Sequence, residues 1–316
     1  MTDGAPAQPP RQRAAPFRLA RLAAVIVLAA ASILYMGTAL ARARGSLHSI
    51  AWLAHPGELA ASIAIQAVSL TLGCRIWFEI LQRIAPSPVT AVQHWRIWAL
   101  TNPTRYIPGR IWHVASLAAF MRSAGVTPVA MLTSIVVHMW LYVLAACAMG
   151  LVLLPVTPAS VAGAVAVLCG VAAGTHPRPL RAMLHIASRL SGQPALEWRS
   201  GWLPTLALVA ADVGIHSLNG LGVSTLLGAT MDLPVSSWLH VAGANAIAFL
   251  AGYASMVPAG LGVREATLTA LLEGNSMAGG AAAAALVVRA AATFVEVLLA
   301  LVAGVMPRAQ GPVTGA

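Results

Sequence analysis

The 316-residue chain is 59% apolar and only 9% charged, with a mean hydropathy of +0.79. Apolar runs of about 20 residues recur along it, the length that crosses roughly 30 Å of hydrocarbon. The class expected is therefore an all-α, polytopic helical membrane protein, with no room among its spans for a soluble catalytic domain. Its net charge of +10 comes from 19 basic and 9 acidic residues, and every basic residue is arginine. The arginines are scattered among the spans and form no single basic face, so no nucleic-acid partner is expected.

In chain order, residues 1–18 read as a Pro-rich, disordered cytoplasmic tail. Arg11, Arg13, Arg18 and Arg21 precede the first apolar run and place the N-terminus inside. That run is too long for a cleaved signal and gives a retained span at 19–41. Further spans are predicted at 59–80, 128–154, 159–175, 203–228, 236–256 and 281–306, followed by a short tail at 307–316. Two pieces, 89–101 and 110–122, reach only about 20 Å each and cannot cross alone. They read as a re-entrant hairpin with its tip at Asn102–Gly109. The piece 264–273 is likewise too short.

This gives about seven or eight spans in one transmembrane domain, 19–306. Seven would put the C-terminus outside, and counting 257–273 within an eighth crossing would put it inside. The loops with Arg83 and with Arg178, Arg181, Arg189 and Arg199 fall inside, whereas Pro155–Pro158 and Met231–Pro234 carry no arginine and fall outside. Arg42 and Arg44 run against that count. Cys74, Cys147 and Cys169 show no metal spacing and read as packing residues, so neither a metal nor a cofactor is expected.

Two stretches interrupt otherwise apolar helix with proline, glycine and arginine: Asn102–His113 and Val257–Glu265. Irregular backbone at membrane depth is tolerated only where protein buries it or a water-filled cavity exposes it. In the first, Pro108 and Gly109 precede a helix start that carries Arg110, with His113 one turn on. Unpaired N–H groups and the positive dipole end make such a start suited to a phosphate or lipid head group. The alternative is that Arg110 snorkels to the cytoplasmic interface. In the second, Gly260 and Gly262 permit close backbone approach, Arg264 is the cation, and Glu265 joins the site, caps the helix, or pairs with Arg264 or another arginine. Each break leads to a short helix, a glycine and a full span, a layout that reads as an internal repeat with halves at about 59–175 and 203–306.

Tyr106–His113 and Pro258–Glu265 resemble the corresponding motifs of the lysylphosphatidylglycerol synthase transmembrane-region family, the flippase-like membrane domain. The resemblance runs from about residue 59 to 306 and is most specific at the second motif. It implies an inner (plasma) membrane protein that moves a lipid or lipid-linked substrate between leaflets. Members can carry a soluble aminoacyltransferase domain, which this chain does not show, so that activity is not implied. Relatives often carry an acid near the position of His138, and a role needing a fixed negative charge there is not carried over.

Within the spans, Arg289, Thr293 and Glu296 share one helical face, as do Asp212, His216 and Asn219, and Ser134, His138 and Tyr142. Ionisable groups at this depth face a bundle interior or a cavity. They are read as substrate binders, proton relays or structural pairs, such as Arg289 with Asp212. No nucleophile elbow, zinc helix, P-loop or dinucleotide motif occurs, so no enzyme activity is expected. The expected function is a flippase-like transporter of a lipid with an anionic head group. The rival reading is a membrane scaffold for a separate glycosyltransferase or lipid-synthesis enzyme.

Overall fold

A computed structural model describes residues 55–106, 111–192, 196–231, 235–255, 260, 262–273 and 281–306. Both tails, the span at 19–41, and Pro108, Gly109 and Arg110 lie outside the described residues. Within them the chain is helical, with no strand.

Local sequence sets the helix boundaries. Helix α1 (Pro56–Ile84) starts on a proline, whose missing N–H costs nothing in a first turn. Thr90 and Gln93 form a reciprocal capping box at the start of α2 (Ala91–Thr101). A 3-10 turn, Asn102–Tyr106, follows, and then α3 (Ile111–Ser123). Gly125, with φ of +84°, ends α3, and Val126 N–H reaches back to the Met121 carbonyl. Helices α4 (Pro128–Gly150) and α5 (Pro158–Gly174) both begin Thr-Pro, with Thr127 and Thr157 as caps.

The polar interval after α5 holds a helix that hydropathy passed over, α6 (Pro177–Ser191). His176 caps it, Gly192 ends it, and Leu180 and Leu184 bury one face while Arg178, Arg181 and Arg189 stay exposed. The chain continues through α7 (Trp202–Met231), α8 (Trp238–Ala254), α9 (Val263–Glu273) and α10 (Ala281–Val305).

Among the described residues, four helices are long and apolar enough to cross a membrane: α1, α4 with its 3-10 extension, α7 and α10. A fifth crossing results if α5 and α6, bent by 51° at their junction, count as one. Helix α8 has 17 residues, fewer than the run predicted at 236–256.

The long helices set the frame. Helix α1 runs antiparallel to α7: Ser62 Oγ donates to the Gly222 carbonyl at 2.7 Å, and Ser69 Oγ to that of Ile215 at 3.2 Å. Helix α10 runs antiparallel to α2, with Arg96 Nε donating to the Ala303 carbonyl at 2.9 Å. Helix α4 is likewise antiparallel to α8, where Gly150 abuts Ile247 and Leu153 abuts Gly243. Small residues bring the backbones together. A Cβ on Gly220 would stand 2.1 Å from that of Ala242, so the α7–α8 crossing admits only glycine there.

Candidate functional site

The two breaks meet on one face of α10. At the first, Pro103 and the Thr101–Thr104 pair wind the end of α2 into the 3-10 turn, with Thr104 Oγ1 donating to the Thr101 carbonyl at 2.6 Å. His113 Nδ1 donates to the same carbonyl at 3.1 Å, so His113 ties the start of α3 back to the end of α2. The turn presents Arg105, half-buried, whose guanidinium pairs with the carboxylate of Glu296 on α10. Glu296 is 2% exposed.

At the second break the backbone does the positioning. Gly260 takes a φ of +67° and packs on Gly252 of α8 so closely that a Cβ would lie 3.0 Å from the Gly252 Cα. Gly262, with φ of +82°, is the residue before α9, and its N–H donates to Glu265 Oε2 at 2.6 Å. Glu265 thus caps its own helix from the N3 position. Its other oxygen, Oε1, faces Arg289 Nε of α10 at 3.7 Å. Arg264 turns toward α8, donating to Asn245 Oδ1 at 3.0 Å, and Asn245 Nδ2 donates to Asn219 Oδ1 of α7 at 2.8 Å.

Arg289 and Glu296 are seven residues apart, about 10 Å along one face of α10. That interval joins the two breaks in one centre holding three guanidinium groups (Arg105, Arg264, Arg289) and two carboxylates (Glu265, Glu296). A small opening lined by Arg264, Glu265, Leu268, Val288 and Arg289 lies against it, with room for about one water molecule. Buried charges are held this way when paired, and one positive charge in excess equips the centre for an anion.

A second polar cluster lies between α4 and α7. His138 Nε2 is 3.8 Å from Asp212 Oδ1, and Asp212 is fully buried. His216, one turn along α7, donates from Nε2 to the Tyr142 carbonyl at 3.3 Å, and its ring stacks on Tyr142 at 4.2 Å.

The structure therefore brings together Arg264, Glu265, Arg289 and Glu296 at one centre, and His138, Asp212 and His216 at the other. The suggested pair of Arg289 with Asp212 is not formed, because Glu265 lies against Arg289 and His138 against Asp212. Arg105 and Asn245 were not singled out from sequence. A lone asparagine in an apolar helix was a legible signal for Asn245, whereas Arg105 was overshadowed by Arg110 in the same motif. No family model, no curated protein and no solved structure matches the chain.

Proposed function

We propose that this protein is a flippase-like transporter of a lipid or lipid-linked substrate with an anionic head group, working in the inner (plasma) membrane. The observation that carries the reading is the convergence of two helix breaks on α10 with more guanidinium than carboxylate groups. A head group would engage Arg264 and the N-terminus of α9, with Arg110 contributing from the first break, while acyl chains stay in lipid. The resemblance of the two motifs to the lysylphosphatidylglycerol synthase transmembrane-region family favours the same substrate class.

The packing suggests how the site would change sides. Exchanging α1–α4 with α7–α10 turns the α2–α10 contact into α8–α4 and leaves α1–α7 in contact with itself. Since α1 and α7 are antiparallel, the halves would be an inverted repeat about an axis in the membrane plane. Helices α2–α3 and α8–α9 are then re-entrant hairpins from opposite faces, and rocking of the halves alternates access. This topology makes the second break a hairpin tip rather than part of a further crossing, and it returns the C-terminus to the cytoplasmic side.

The test is leaflet exchange of labelled lipids in proteoliposomes, comparing wild type with Arg110→Ala/Arg264→Ala. Exchange that collapses in the double variant supports the site. Exchange that persists unchanged removes it. Absence of exchange across a broad lipid panel, with an enzyme co-purifying, favours the scaffold.

A further inference from the structure

The Asp212–His138 cluster plays no part in holding a head group, yet its construction is costly. Asp212 is fully buried, and among the described residues neither of its oxygens, nor Nε2 of His138, has a hydrogen-bond partner. The 3.8 Å gap between them is longer than a hydrogen bond. An ionised carboxylate left in that position without a partner is strongly disfavoured, as is an isolated imidazolium. One added proton removes the problem in either of two ways. It makes a neutral carboxyl beside a neutral imidazole, or a carboxylate beside an imidazolium.

We propose that Asp212 and His138 form a one-proton site that is loaded and emptied as the transporter changes sides, with H⁺ as its ligand. This rests on the transport reading above. The connection to the arginine centre runs along one face of α7. Asp212, His216 and Asn219 follow at one-turn intervals, and Asn219 holds Asn245, which holds Arg264.

Among the described residues, the groups facing the pair are few. Helix α4 contributes Tyr142 beside His138, α7 contributes His216, and α9 contributes Arg264 beyond the two asparagines. On the side of α1 and α2, His94 lies within electrostatic reach of His138, and Arg75 is paired with Glu79 at 2.6 Å. Helix α8 presents the Phe249 ring, which carries no charge.

Loss of the proton therefore leaves a net negative charge on the face of α7 that leads through Asn219 and Asn245 to Arg264, and that charge disfavours an anionic head group at the arginine centre. With the proton bound, that repulsion is absent. Proton and anion thus favour each other's binding and cross together. The proton enters from water on one side and leaves to water on the other.

Two readouts test this in the full-length protein. The first is an infrared pH titration of wild type, Asp212→Asn and His138→Gln, which needs no substrate. A carboxyl or imidazolium protonation step is expected in wild type, lost in Asp212→Asn and moved along the pH axis in His138→Gln. If Asp212→Asn does not purify as folded protein, His138→Gln decides alone, and an unmoved step overturns the site. A step that persists in Asp212→Asn also overturns it.

The second readout is exchange of nitrobenzoxadiazole-labelled phosphatidylglycerol in vesicles of phosphatidylcholine and phosphatidylglycerol, with and without an imposed pH gradient. Wild-type exchange is expected to change about fivefold or more with the gradient, and Asp212→Asn to be insensitive to it. Exchange that needs Arg264 but ignores the gradient in wild type overturns the coupling. If wild type exchanges none of this probe, the lipid reading fails for it, and the infrared step still decides the proton site.

Discussion

At the scale of single residues, the centre is organised by unequal burial within its pairs. Glu296 is inside the bundle, whereas Arg105 reaches it from a turn that is partly open to solvent. The two deletions should therefore differ. Arg105→Ala leaves a buried carboxylate without its cation and is expected to cost roughly 3 kcal/mol of stability. Glu296→Gln leaves an arginine that water can still reach and is expected to cost clearly less. Denaturant unfolding in detergent, followed by tryptophan fluorescence, measures both. Equal losses would mean that the burial asymmetry does not govern the pair. His113 is tied to the Thr101 carbonyl, a bond that closes the first hairpin.

At the scale of elements, the second hairpin depends on two glycines with different duties. Both have positive φ, but only Gly260 also touches another backbone, that of Gly252, while a Cβ on Gly262 would meet open space. Gly262→Ala is expected to cost about 1 kcal/mol, the left-handed penalty alone. Gly260→Ala adds a clash between α8 and the break and is expected to cost at least twice as much in the same unfolding measurement. Comparable losses would show that the close approach is not maintained. These elements also mark how far the sequence could be read. The short helices were legible because their lengths fall below a crossing and Pro or Gly bounds them. Helix α6 was not, because in a membrane protein its four-residue leucine spacing is outweighed by its arginines in any hydropathy window. The shared faces of α7 and α10 were legible from helical periodicity. Their partners were not, since spacing says which residues share a face and nothing about which face it meets. Asp212 and Arg289 each lie on an interior stripe, and each faces a partner on a different helix from the one suggested.

At the scale of the whole molecule, the decisive property is the direction of the two halves. If α1–α4 and α7–α10 are an inverted repeat, the turn between α3 and α4 and the turn between α7 and α8 must lie on opposite faces of the membrane. Ser123 and Ser236 are exposed in those turns, and Val156, between α4 and α5, is exposed on the face expected for Ser236. Single cysteines at these positions, in a chain with Cys74, Cys147 and Cys169 replaced, can be labelled in intact cells with a thiol reagent that does not cross membranes. In the proposed topology, with arginine-bearing loops inside, the Ser123 turn is cytoplasmic. Ser236→Cys and Val156→Cys are therefore expected to react in intact cells, and Ser123→Cys only after the membrane is opened. A different pattern has a different meaning. Reaction of Ser123→Cys and Ser236→Cys from the same side would make the halves parallel, and the antiparallel α1–α7 seam would then be a packing arrangement with no part in exchanging access. The opposite-side result would instead leave the arginine centre near mid-membrane between two hairpins of opposite entry, the position from which a small rocking of either half opens it to one leaflet at a time.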